Sequence, residues 1–145
     1  MPFEFKITRR VEFAETDMAG IMHFSNFFRY MEYAEHAFFR SLGFSINTHD
    51  LGVGWPRVGT SCEFKMPLQF EDEVEIHLLV KEKKERAIGY TFVFRKDGQE
   101  VARGQMITVC VSRDEETGTM SATTIPSEIA DQIEEAPAEL LEQVQ

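Results

Sequence analysis

Phe24-Ser25-Asn26-Phe27-Phe28-Arg29-Tyr30-Met31-Glu32-Tyr33-Ala34-Glu35-His36-Ala37-Phe38-Phe39-Arg40-Ser41-Leu42 carries apolar residues at Phe24, Phe27, Phe28, Met31, Ala34, Phe38 and Leu42, the spacing of an α-helix. A narrow polar stripe of Ser25, Arg29, Glu32, His36 and Arg40 lies opposite, and Tyr30, Tyr33, Ala37 and Phe39 widen the apolar surface. A helix with so little polar surface is buried on most of its sides. It needs cover from the rest of the chain, and that need decides the fold. Ser25 or Asn26 is expected to cap its start, and Gly43 to end it.

The cover is written as alternation. Residues 3–13 place Phe3, Phe5, Ile7, Val11 and Phe13 in a strand pattern. After a loop containing Gly52, Gly54 and Pro56, further runs alternate through Thr60-Cys62-Phe64-Met66, Val74-Ile76-Leu78-Val80, Ile88-Tyr90-Phe92-Phe94 and Val101 to Val111. Lys96-Asp97-Gly98-Gln99 joins the last two as a tight hairpin, because Asp-Gly readily supplies positive φ. The order predicts an α+β chain in which a curved antiparallel sheet of about five strands wraps a long central helix, the hotdog fold.

A chain of 145 residues suits one domain with a real core. The expected division is a single domain over 1–113 and an acidic extension over 114–145, with a short helix starting near Ile125 to Ile129 and then a loose tail. Net charge is −10, but nine acids and no Lys or Arg follow Arg113, so residues 1–113 hold 16 of the 25 acids and all 15 bases. The acidity therefore belongs to the extension, and without a basic patch nucleic acid is not an expected partner. No apolar run approaches the roughly 20 residues of a membrane span. Met1-Pro2-Phe3-Glu4-Phe5-Lys6 has no signal-peptide pattern. Cys62 and Cys110 sit in strand patterns and read as buried, reduced thiols, and together with the missing signal pattern they make the cytoplasm the expected location. His23, His36, His49 and His77 show no metal spacing, and there is no Gly-rich phosphate loop or nucleophilic Ser elbow.

The chemistry concentrates just ahead of the helix, in Glu15-Thr16-Asp17-Met18-Ala19-Gly20-Ile21-Met22-His23. Asp17 falls at a strand end before a helix N-terminus, where unpaired N–H groups and the positive end of a dipole are available. A carboxylate beside preorganised amide donors is the minimum equipment for attack on a polarised carbonyl. An Asp in such a place also serves simply as a turn or cap residue.

Thr16-Asp17-x-x-Gly20 with His23-Phe24-Ser25-Asn26-Phe27 and Glu32, and then Phe64-Lys65-x-Pro67-Leu68-x-Phe70-x-Asp72, resemble the motifs of the hotdog acyl-CoA thioesterases, in the 4-hydroxybenzoyl-CoA thioesterase and YbgC-like group. The resemblance covers most of residues 5–112. It implies hydrolysis of a small aliphatic or aromatic acyl-CoA, with coenzyme A as part of the substrate and no other cofactor or metal. It also implies a homodimer or homotetramer with active sites at subunit interfaces. Asp17 matches the family's carboxylate, acting as nucleophile or as general base. Gly20, Phe24, Ser25 and Asn26 match the turn and helix start whose amides polarise the thioester. His23 departs from the pattern, since YbgC-like relatives carry Tyr-His where this chain has His23-Phe24. It is open between proton transfer, substrate lining and a turn role. Met18, Met22, Phe27 and Trp55 are candidate pocket walls, with Arg57, Lys65, Arg103 and Arg113 as candidate partners for CoA phosphates. Glu32 is expected to pair with Arg29 or His36 on the helix. The rival readings are a non-catalytic acyl-CoA or acyl-carrier binding protein, and a hotdog hydratase or dehydratase.

Overall fold

The central helix α1 runs from Ser25 to Ser41, as its periodicity requires. The computed structural model describes residues 2–143. Around α1 lie β1 (Glu4–Arg10), β2 (Arg57–Phe64), β3 (Glu73–Lys83), β4 (Ala87–Lys96) and β5 (Gln99–Val109). These form one antiparallel sheet in the order β1-β3-β4-β5-β2. The tight β4–β5 hairpin follows from its two central residues, Asp97 at φ 50° and Gly98 at φ 79°.

Aromatic side chains fill the space between helix and sheet. Phe27 meets Phe94 with ring centres 5.3 Å apart, Phe38 meets Tyr90 at 6.4 Å and Phe5 at 6.2 Å, and Phe39 meets Trp55 at 5.5 Å. Each such buried ring contributes ~1.5–3 kcal/mol relative to exposure. The helix sits so close to β5 that a Cβ at Gly104 would lie 2.2 Å from Met31 Sδ. That approach is why a glycine interrupts the β5 pattern.

Gly43, at φ 91°, ends α1, with the Phe44 N–H reaching back to the Phe39 carbonyl at 3.0 Å. The start differs from expectation. Phe24 occupies the capping position and no side chain caps it. Ser25 and Asn26 are instead turned toward His23 and Glu15, partners that sequence spacing does not reveal. β1 is also shorter than the alternation suggested: the chain leaves the sheet after Arg10 and makes a 3-10 turn at Phe13–Glu15, which puts Phe13 on the surface.

The C-terminal segment is packed rather than loose. A small hairpin of β6 (Val111–Arg113) and β7 (Met120–Ala122) leads to α2 (Ser127–Ala130) and α3 (Ala138–Gln143). Ile125, Ile129 and Ile133 enter the main core, and Ala136 covers Leu79 and Val93 on the outer face of the sheet. Lys83 Nζ fastens the segment by donating to the carbonyls of Ala130 and Ile133, at 2.9 and 2.7 Å. Glu128, Asp131, Glu134 and Glu135 fall between these apolar positions and mask their spacing. Cys110 is buried as expected, whereas Cys62 is only half-buried on β2. Burial still pushes the Cys62 thiol up to about 11.

Candidate active site

Asp17 lies on the loop between the 3-10 turn and α1. Its carbonyl accepts from the Gly20 N–H at 2.9 Å and its own N–H donates to Ile21 O at 3.0 Å. Gly20 at φ 80° closes this turn, a conformation that costs a glycine nothing. The Ala19 N–H donates to Asp17 Oδ1 at 2.9 Å, so the turn orients the carboxylate. The loop is pinned to the segment before β3 by Met22 N–H to Leu68 O at 2.6 Å.

A cleft of about 480 Å³ opens between these two segments and the start of α1. Asp17 and Lys65 are its charged lining residues; Ile21, Met22, Phe24, Phe27, Phe64, Met66 and Pro67 supply apolar walls. A second groove of about 540 Å³, lined by Arg9, Arg10, Phe13 and Phe70 among others, borders the end of β1. The first cleft is the better candidate because it alone joins a carboxylate to a helix start.

The amides at that start are not equivalent. The His23 N–H donates to Glu15 O at 2.8 Å, the Ser25 N–H to His23 Nδ1 at 3.3 Å, and the Asn26 N–H to His23 O at 2.9 Å. Among the described residues, the Phe24 N–H makes no hydrogen bond. It is therefore the donor left open at the positive end of a 17-residue helix, on a residue that lines the same cleft as Asp17.

The other predicted site residues separate into two groups. Asp17, Met22, Phe24, Phe27 and Lys65 are brought together at the cleft, with Gly20 shaping the turn beside it. Lys65 is paired with the carboxylate of Glu100, which Arg103 also holds at 2.6 Å. His23, Met18, Ser25, Asn26, Trp55 and Arg57 are not among the residues that line the cleft. His23 stacks on Phe24 at 4.6 Å and uses Nδ1 to bond Ser25, at 2.8 Å to Oγ, rather than reaching Asp17. With Nδ1 accepting from the Ser25 amide, the neutral ring carries its proton on Nε2. Met18, in the same turn, is fully exposed.

Trp55 and Arg57 lie at the end of β2 opposite Phe64. Trp55 is buried against Phe39, with Nε1 donating to Thr48 Oγ1 at 2.9 Å. Arg57 is drawn to Glu35, a carboxyl 1% exposed inside the core, and to Glu32 at 3.7 Å. Glu32 thus pairs with Arg57 rather than with Arg29 or His36. Burial raises the Glu35 carboxyl to about 7, against the opposing pull of Arg57 and with the help of Glu32. Sequence reading missed this pair, because Glu35 sits on an apolar flank and Arg57 is distant in the chain. It also missed Phe64, the last residue of β2, and Met66, two residues beyond the strand, as walls, although both fall in one alternating run of the sequence.

The model of the thioesterase-like superfamily matches residues 11–144. The chain belongs to this family. Within it, the chain is 29% identical over 104 residues to a 1,4-dihydroxy-2-naphthoyl-CoA hydrolase from Prochlorococcus marinus (strain NATL1A), covering 66% of this chain and 69% of that one. Its structure is similar to that of BH1999 gentisyl-coenzyme A thioesterase, with TM-score 0.77 and 31% identity over 87% of this chain and 99% of that one. It is also similar to a hypothetical protein from Aquifex aeolicus, with TM-score 0.80 and 34% identity over 88% and 97% of the two chains. The five-stranded sheet wrapped on α1 is the family's hotdog fold.

Proposed function

We propose that this member of the thioesterase-like superfamily hydrolyses acyl-CoA thioesters at the Asp17 cleft. The observation that carries the proposal is that one cleft is lined both by Asp17 and by Phe24, the residue at the start of α1 whose N–H has no partner among the described residues. The thioester carbonyl would accept from the Phe24 N–H. The Asp17 carboxylate would then attack the carbonyl carbon or take the proton from an attacking water. Either route builds negative charge on the carbonyl oxygen, which the amide and the helix dipole stabilise before the C–S bond breaks. On the base route, the proton Asp17 took from water passes to the leaving CoA sulfur; on the nucleophilic route, CoA leaves as the thiolate, and a water then hydrolyses the acyl–Asp17 anhydride, frees the carboxylate and supplies the thiolate's proton. Nothing in this sequence requires a metal.

Phe24, Phe27 and Phe64 line the cleft with three aromatic rings, and two of the three relatives are named for aromatic substrates, 1,4-dihydroxy-2-naphthoyl-CoA and gentisyl-coenzyme A. We therefore favour an aromatic acyl group over an aliphatic chain. The working unit would be a homodimer or a tetramer built from it. One edge of β2 pairs with β5 and the other is open in the single chain, while Val58 and Phe64 on β2 and Ile107 on β5 are exposed. An uncovered edge with apolar neighbours is a ready site for pairing with a second copy. That pairing would close the cleft beside Phe64. Two free thiols fit a reducing compartment such as the cytoplasm.

The test is free-thiol release from a panel of aromatic and aliphatic acyl-CoAs. Release that favours the aromatic members supports the reading. Silence across the panel contradicts it.

A further inference from the structure

Asp17 sits on a loop without regular secondary structure, so its carboxylate must be held by contacts made elsewhere. The two ends of that loop meet at one residue, Glu15. The Glu15 carbonyl accepts from the His23 N–H at 2.8 Å and from Asn26 Nδ2 at 2.9 Å. Its carboxylate accepts from Tyr30 Oη at 2.6 Å, from the Glu12 N–H at 2.8 Å and from Arg9 Nη2 at 3.2 Å. These donors come from the start and second turn of α1, from the 3-10 turn, and from β1. Glu15 is thus bonded to β1, to the 3-10 turn and to α1, yet it is not among the residues that line the cleft.

We propose that Glu15 is a positioning residue for Asp17, clamping the loop from Thr16 to Met22 between β1 and α1. The proposal rests on the thioesterase reading of the cleft. Three of the bonds are to a carboxylate and so belong to the stronger, charge-assisted class. Their partners are themselves constrained. The Arg9 guanidinium lies over Tyr30 at 4.4 Å and Tyr33 at 4.6 Å. Burial, and then the bond to Glu15, push the Tyr30 hydroxyl well above its ordinary range, so it stays a donor at any working pH. Without the carboxylate's bonds, the loop keeps its internal turn and the two bonds of the Glu15 carbonyl but loses its ties to Tyr30 on the second turn of the helix and to Arg9 on β1. A displacement of about 1 Å between reacting groups can cost on the order of 10²-fold in rate.

The experiment measures kcat and KM for thioester hydrolysis in Glu15→Ala, Glu15→Gln and Tyr30→Phe, and in Glu15→Ala combined with Asp17→Asn. Amide hydrogen exchange at Asp17, Gly20, Met22 and His23 is followed in the same proteins. Glu15→Ala should lower kcat ~10–100-fold with KM changed less than about threefold. Glu15→Gln keeps an acceptor for Tyr30 and should recover part of that loss. On the Asp17→Asn background, Glu15→Ala should cost nothing further, because a positioning residue acts only through the group it positions. The four amides should exchange faster when the clamp is cut. Wild-type kcat in folded Glu15→Ala, or the same loss on the Asp17→Asn background, would overturn the proposal. Should Glu15→Ala fail to fold, Tyr30→Phe removes one bond and keeps the ring, and carries the same readouts. If the wild-type protein releases no thiol, the thioesterase reading falls, and amide exchange decides the clamp alone: unchanged protection in Glu15→Gln and Tyr30→Phe refutes it.

Discussion

Glu35→Gln is the substitution whose effect can be worked furthest from the structure. The Glu35 carboxyl is 1% exposed, bonded to Arg57 and near Glu32, and its folded value is raised from 4.5 to about 7, chiefly by burial. An unfolded chain therefore ionises Glu35 near 4.5 while the folded protein still binds the proton. Stability from this group is fully present below the unfolded value and is lost as pH rises through the folded one. At about 1.4 kcal/mol per pKa unit, the loss amounts to as much as ~3 kcal/mol between pH ~4.5 and ~7. Gln has nearly the same shape and does not titrate. Urea unfolding of both proteins from pH 5 to 8 should show wild type losing up to ~3 kcal/mol relative to Glu35→Gln as pH rises, a midpoint shift of roughly 6–12 °C in a thermal scan. A stability difference that stays constant across that range would refute the reasoning and mean that Arg57 keeps the carboxylate ionised throughout.

Other outcomes follow from single contacts. Gly104→Ala should destabilise the protein by ~1–3 kcal/mol in chemical denaturation, because its Cβ meets the buried Met31 sulfur, and Met31→Ala should relieve part of that cost. His23→Ala should leave the pH dependence of turnover unchanged, since Nδ1 serves Ser25 and the ring does not reach Asp17; a lost limb of the profile would restore it to the chemistry. Light scattering should give a dimer or tetramer, and a monomer at micromolar concentration would contradict a cleft closed by a second copy at β2.

The helix and its wrapping were legible because both periods were strong. Phe27, Met31, Ala34 and Phe38 face the sheet as their spacing demanded, and Asp97-Gly98 makes the hairpin its chemistry specified. Asp17 was a candidate from its place ahead of the helix and from the motif around it, and the structure sets it on the cleft, on a loop rather than at a strand end. Its supports could not be found that way, because Glu15 gathers donors from Arg9, Glu12, Asn26 and Tyr30, and no local rule brings those together. Trp55 and Arg57 misled for the opposite reason. Each looks like a pocket or phosphate residue by type, yet Phe39, Thr48 and Glu35 claim them first. The segment after Arg113 misled because its acids are exposed while every third or fourth residue from Ile125 to Ala136 is buried.

The most direct test of the central claim is the rate of CoA thiol release by wild type against Asp17→Asn. Asn keeps an acceptor for the Ala19 N–H and removes only the charge, so the turn should survive. The expected result is a fall in kcat of at least ~10²-fold with the melting temperature retained. Turnover near the wild-type rate in a folded Asp17→Asn protein would contradict the account.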